Sequence, residues 1–314
     1  MSHLVETMAY VNATPWHGLG NRLTEGQPLE VWLQEAGMDW DIREGPVLFE
    51  VNQEQKCYAD NKVLFRNDTL APLSVVSKRY QVVQPREVLE FYRDLVEVSG
   101  FQLETAGVLK GGKKLWALAK TGQEALLKGG DRVLGYLLLA TACDGTLATT
   151  AQFTSVRVVC NNTLELSLSN DAGAIKVPHS TRFDATAVKK ELGLGVSAWE
   201  SFIAGAKSMS ERKLTKFEAM RYLIQVFGDP DVQLSDQPNQ AVMQQIHSLF
   251  DGEGKGSHLE SSRSTAWGLL NAVTQFVDHD RKARSTDNRL NSAWFGPGKA
   301  IKQKAFEEAV KLAA

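Results

Sequence analysis

An arginine inside an apolar strand pattern needs a carboxylate or a bound anion, because its guanidinium stays charged and offers five N–H donors. Arg157 holds such a place in TSVRVVCNNTLELSL at 154–168. On a strand, Val156 and Val158 share one face, and Arg157 and Val159 the other. Asn161, Asn162 and Thr163 follow. Their side chains favour helix N-caps, which makes TLELSL the expected helix. A helix N-terminus beside Arg157 would form an anion site suited to phosphate. Capping combined with an internal ion pair is the other reading of the same residues.

A second set of polar residues recurs at helical spacing. In TAWGLLNAVTQFVDHDRKAR, Ala266, Leu269, Leu270, Val273, Phe276 and Val277 form an apolar stripe. Trp267, Asn271, Thr274 and Asp278 descend the opposite side. A polar row with an exposed tryptophan could contact a base or a partner; the same row could lie buried between two layers. Beyond it, Arg281, Lys282, Arg284 and Arg289 are interleaved with Trp294 and Phe295, ahead of Lys299, Lys302 and Lys304. Cations of this kind meet phosphates, and aromatic rings stack on unpaired bases. A solvated helix face with a core tryptophan is the alternative.

Other chemistries find less support. The histidines are His3, His17, His179, His247, His258 and His279, with no HExxH pair. In Asp278-His279-Asp280, helical neighbours point about 100° apart, so a metal site is not expected. Asp280 is expected to pair instead with Arg284, four residues on. A nucleophilic Cys160–His179 pair would need the fold to bring its members together; in VRVVC the cysteine reads as a small buried hydrophobe. Neither DGEGKGS at 251–257 nor GVLKGGKK at 107–114 has the phosphate-loop spacing. No cofactor is implied, and whether the chain is an enzyme stays open.

The elements that would position these residues form an α+β fold. Strand-like runs fill 41–84, with a hairpin expected at Asp60-Asn61, and REVLEFYRDLVEVSG forms an amphipathic helix. A meander follows, with turns at Lys110-Gly111-Gly112 and Asp144-Gly145 around a central strand, DRVLGYLLLATAC. No βαβ alternation emerges, which argues against a doubly wound sheet. From 184 onward the chain reads as helices, with Thr215 capping KFEAMRYLIQVF. The expected division is 1–183, an α+β core with an N-terminal anchoring segment, and 184–314, a helical portion packed on it as one continuous unit.

The 314 residues carry 35 Lys+Arg against 37 Asp+Glu. This excludes a globally basic nucleic-acid binder. The balance is uneven: residues 1–50 hold two basic and eight acidic residues, whereas 278–304 hold seven Lys/Arg and three Asp. Three cysteines without a CxxC pair do not make a disulfide scaffold. The longest apolar run, Tyr136–Cys143, is too short to cross a membrane, and the opening residues, without a basic stretch ahead of an apolar core, are not expected to act as a signal peptide. A cytoplasmic location is the expectation.

PWHGLGN at 15–21, RVVCNNTL at 157–164, TAWGLLNAVTQFVDH at 265–279 and SAWFGPG at 292–298 together resemble the DUF932 phage/plasmid-like family. The resemblance implies a protein of mobile elements and marks Trp16, His17, Gly18, Gly20, Arg157, Cys160, Asn162, Thr163, Trp267, Asn271 and His279 as signature positions. It assigns none of them a catalytic role. The strand–helix–meander order is also loosely similar to Rad52-like single-strand annealing proteins. The leading expectation is single-stranded nucleic-acid binding, by a chain that could assemble as a homo-oligomer, with an annealing or recombination-accessory role. Phosphate contacts would come from Arg157, Arg281, Lys282, Arg284 and Arg289, and stacking from Trp267 or Trp294. A protein-interaction module and a His/Asp-dependent hydrolase or nuclease are the alternatives.

Overall fold

A strand that is apolar at almost every position must be covered on both faces, and that requirement organises the molecule. The computed structural model describes residues 5–11, 20–99, 101–157, 162–165, 174–192 and 196–313. In chain order the first elements are β1 (Val5–Val11), β2 (Asn21–Leu23), α1 (Leu29–Glu35), β3 (Ile42–Val51), β4 (Glu54–Arg66), β5 (Pro72–Ser77) and α2 (Pro85–Ser99). The meander follows as β6 (Gln102–Leu109), β7 (Lys114–Leu127), β8 (Asp131–Ala142) and β9 (Thr149–Arg157), then β10 (Asn162–Glu165) and β11 (Ala174–Val177). Helices complete the chain: α3 (Ala185–Leu192), α4 (Val196–Glu211), α5 (Lys216–Phe227), α6 (Gln240–Ser248), α7 (Ala266–Gln275), α8 (Thr286–Phe295) and α9 (Pro297–Ala313).

The main sheet runs β10-β9-β8-β7-β6-β1-β2, with β11 also paired to β9. All its pairings are antiparallel except β1 with β2. The expected turns fall at Lys110–Gly112 and after Cys143, where the Asp144 carboxylate accepts from the Thr146 N–H at 3.0 Å. Leu115, Ala117, Ala119, Leu137 and Leu139 face one layer, with Val88, Leu89 and Tyr92 of α2. Trp116, Leu118, Tyr136, Leu138 and Ala140 face the other, against Leu290 of α8. The fold is thus α+β, with antiparallel sheet in the N-terminal half and helices dominating the C-terminal half. Tyr92 ties helix to sheet by donating its hydroxyl to the Ala117 and Leu137 carbonyls at 2.8 and 3.0 Å. Complete burial pushes the Tyr92 pKa well above that of a free phenol, so the hydroxyl keeps its proton.

Glycine is required at two places near the start. Gly37 follows α1 at φ +67 and lies so close to Thr7 that any side chain would collide. Gly20, a signature position, has φ +107, and a Cβ there would lie 2.8 Å from the Met8 carbonyl oxygen.

Two local expectations are corrected. The hairpin between β3 and β4 turns at Asn52 and Gln53, both left-handed at φ 53 and 64, rather than at Asp60-Asn61. Asp60 and Asn61 sit mid-strand in a 13-residue β4 whose first seven residues are exposed. A strand open to water leaves polar side chains solvated, so they do not break it. TLELSL does not begin as a helix either: Asn162–Glu165 is β10, paired antiparallel with β9. Alternating Leu and polar residues fit a strand equally well, and the free edge of β9 selects that form. The anion site expected at a helix N-terminus beside Arg157 therefore has no helix to form it.

Thr215 caps α5 as expected, in a reciprocal box: its hydroxyl accepts from the Glu218 N–H at 3.2 Å, and Glu218 Oε2 accepts from the Thr215 N–H at 2.8 Å. That N–H, the Arg212 guanidinium and the Thr215 hydroxyl hold the Glu218 pKa down to about 2. Thr215→Ala should lower unfolding free energy by about 1 kcal/mol, with Thr215→Ser retaining the wild-type value in a denaturant titration. An alanine variant as stable as wild type would remove the cap from the account.

Candidate functional site

Every residue of α7 is buried, from Ala266 to Gln275. Such a helix must satisfy its polar side chains internally. Trp267 is 1% exposed and donates its indole N–H to Asp131 Oδ2 at 3.1 Å, and the Ser261 hydroxyl donates to the same oxygen at 2.7 Å. Asn271 donates to the Trp267 carbonyl at 2.8 Å, and Thr274 to the Asn271 carbonyl at 3.0 Å. The polar row therefore lies between layers, the second of its two readings. Its tryptophan presents no face for stacking.

The row ends at Asp278, where β10 and α9 meet. Asp278 Oδ1 pairs with Lys302 Nζ at 2.7 Å. Asp278 Oδ2 accepts from the Thr163 N–H at 2.8 Å and its hydroxyl at 3.1 Å. Lys302 closes the ring by donating to Thr163 Oγ1 at 2.7 Å. The two charged side chains are 7% and 6% exposed, so the pair is enclosed. Thr163 thus holds the C-terminal end of α7's chain rather than capping a helix of its own. A small cavity of about 30 Å³ adjoins the cluster, bordered by Thr154, Thr163, Trp294 and Lys302, with Lys299 donating to Gln152 at 3.2 Å on its wall.

Sequence reasoning missed the Asp278–Lys302 pair. Its signal was nonetheless present: Gly298, Lys302, Ala305 and Ala309 form the buried stripe of α9, and a lysine on that stripe needs a carboxylate.

After Gln275 the helix loosens into a π-helical turn at Phe276–Asp280, and the backbone becomes extended at Arg281, whose N–H donates to the Phe276 carbonyl at 2.7 Å. This break removes the helical spacing expected between Asp280 and Arg284; the contact of Asp280 is with the Gln275 amide at 3.4 Å. Arg289 donates to the His279 carbonyl at 2.7 Å, fastening α8 to the turn. Trp294 packs edge-on against Trp116, with ring centroids 5.0 Å apart. Arg281 is half-buried, whereas Lys282 and Arg284 are exposed. None of these three enters an ion pair among the described residues.

The structure therefore brings Asp278 to Thr163 at the sheet edge, joins Arg289 to His279 beyond it, packs Trp294 over β7, and sets Arg281, Lys282 and Arg284 on the adjoining turn. Trp267 and Asn271 lie deep inside. Trp16, His17, Gly18 and Cys160, together with the side chains of Arg157 and Asn162, lie outside the described residues. His179 stacks on Tyr80 with centroids 4.4 Å apart and contacts the Gln81 and Leu147 carbonyls at 3.0 and 3.1 Å. Among the described residues, no three His, Cys, Asp or Glu side chains are placed to share a metal ion, and no helix is long and apolar enough to cross a membrane.

Fold and site define a layered α+β protein that locks its last helices to the sheet edge through a buried ion pair and presents a basic turn beside them. A family model described as a domain of unknown function, DUF932, matches residues 72–294. The match covers most of the chain, and the chain belongs to that family. It begins at Pro72, after PWHGLGN, and ends before Lys302. No curated protein and no solved structure matches. The loose similarity to Rad52-like annealing proteins expected from the order of elements is therefore not shown.

Proposed function

We propose that the protein binds single-stranded nucleic acid through the turn Arg281-Lys282-Ala283-Arg284. The observation that carries this reading is the three cations of that turn, Lys282 and Arg284 exposed and Arg281 half-buried, none of them in an ion pair with the described residues. Unpaired cations at a surface attract phosphates, and binding releases the counterions held there. The turn is anchored at both ends, by the Arg281 N–H on Phe276 and by Arg289 on His279, so little order is lost on contact. Arg289, Trp267 and Trp294 support the turn and its helices from within. An annealing or recombination-accessory role would follow if several copies held one strand.

Fluorescence anisotropy with a labelled single-stranded 20-mer tests the proposal across a salt series. Binding should weaken with salt, and R281Q/K282Q/R284Q should make the log-log slope shallower by about 2, at about 0.7 per lost phosphate contact. Absence of binding at low salt would overturn the reading.

A specific observation favours a protein partner as the second reading. The β3–β4 ribbon leaves Leu48, Phe49, Val51 and Tyr58 exposed, at 49%, 44%, 42% and 50%. Exposed apolar residues on both faces of one ribbon suit contact with another protein. Co-purification that survives nuclease and is lost in F49E/Y58E would favour it.

A further inference from the structure

Beside the basic turn lies an open cavity of about 560 Å³, bordered by α5, α6, α9 and the π-helical turn. This volume is in the range of small-molecule sites. Its apolar side is formed by Phe227, Phe276 and Ile301, the two rings standing edge-to-face with centroids 6.2 Å apart. Its polar side carries Asn239, Gln245, Arg281 and Lys282. Arg281 is half-buried on this border and enters no ion pair among the described residues. A half-buried guanidinium without a carboxylate partner favours an anion at the cavity it borders. One carboxylate, Asp280, shares the border and contacts the Gln275 amide, leaving the cations in excess.

The required ligand has an apolar body for the phenylalanine side, edge groups for two amides and an anionic head for Arg281 and Lys282. We infer that the cavity takes one phosphorylated nucleotide unit, its base against Phe227 and Phe276 and its phosphate at Arg281 and Lys282. Gln245 stands at the base edge, where a side-chain amide serves as a hydrogen-bond partner; the Asn239 amide nitrogen donates to the Phe227 carbonyl at 2.9 Å, which leaves its oxygen to accept. The choice of a nucleotide among amphipathic anions rests on the single-strand reading. The unit could be a free mononucleotide or part of a strand, and the test separates these sources.

Isothermal titration of the full chain with the four nucleoside monophosphates, the matching nucleosides and inorganic phosphate provides the measurement. At least one monophosphate should bind, its nucleoside about tenfold more weakly or worse. R281Q should weaken the monophosphate by a similar factor, and V242W, which fills the cavity, should abolish its binding. Competition by the single-stranded 20-mer identifies a unit of a strand; undiminished monophosphate binding in its presence identifies a free nucleotide. Binding of the 20-mer without any monophosphate would overturn the cavity inference and leave the single-strand reading intact. Inorganic phosphate binding as tightly as the monophosphates would also overturn it. Failure of both monophosphate and 20-mer would remove both proposals.

Discussion

Asp278→Ala is expected to lower the unfolding free energy by about 3–5 kcal/mol, because it strands a buried ammonium. Lys302 is only 7% exposed on its side chain and cannot reach water without moving α9. The same change removes the acceptor for the Thr163 N–H and hydroxyl, so β10 loses its tie to the end of α7. The loss comes mainly from leaving charge unpaired, rather than from the worth of the pair itself. D278L/K302M should therefore recover much of the stability, since an apolar pair avoids desolvating two charges. Urea titrations of both variants decide the matter. A loss below about 1 kcal/mol for D278A would mean that water reaches Lys302 and that the cluster is not a lock.

Trp267→Ala should be comparably severe, at about 3–5 kcal/mol, for a different reason. The indole is one of the largest fully buried side chains, packed against Phe202 with ring centroids 6.4 Å apart. Its removal opens a cavity in the helical core and takes a donor from Asp131, which is 1% exposed. Trp267→Phe keeps most of the volume and should cost less. Folded W267F should bind a single strand as wild type does. Loss of that binding at unchanged stability would return Trp267 to the interface and overturn its core role.

Much of the framework was legible because it depends on short-range rules. The α2 stripe, the Lys110–Gly112 turn and the Thr215 cap each involve neighbours in sequence, and each is present. Asp60-Asn61 and TLELSL misled because both are locally ambiguous. A polar pair is a turn where strands must reverse and an ordinary strand segment where both faces meet water. Alternating leucines suit a helix or an edge strand, and the edge of β9 chose the strand. Around the site, the basic residues at 281–284 were visible as a cluster, but their separation from Arg289 and Trp294 was not. That division depends on the π-helical turn, which redirects the chain at Arg281.

By itself the sequence determined the α+β class, the turn and cap positions, the family resemblance and the charge contrast between residues 1–50 and 278–304, because composition and periodicity are properties of the chain alone. Only the tertiary structure decided that the polar row of α7 lies inside, that Asp278 meets Lys302 and Thr163, and that Arg281 borders an apolar cavity. The physical reason is separation along the chain: Thr163 and Asp278 lie 115 residues apart, and Asp278 and Lys302 lie 24 apart. No local rule specifies such partners. They are chosen when sheet and helices bury their apolar faces together and each enclosed polar group must find a partner.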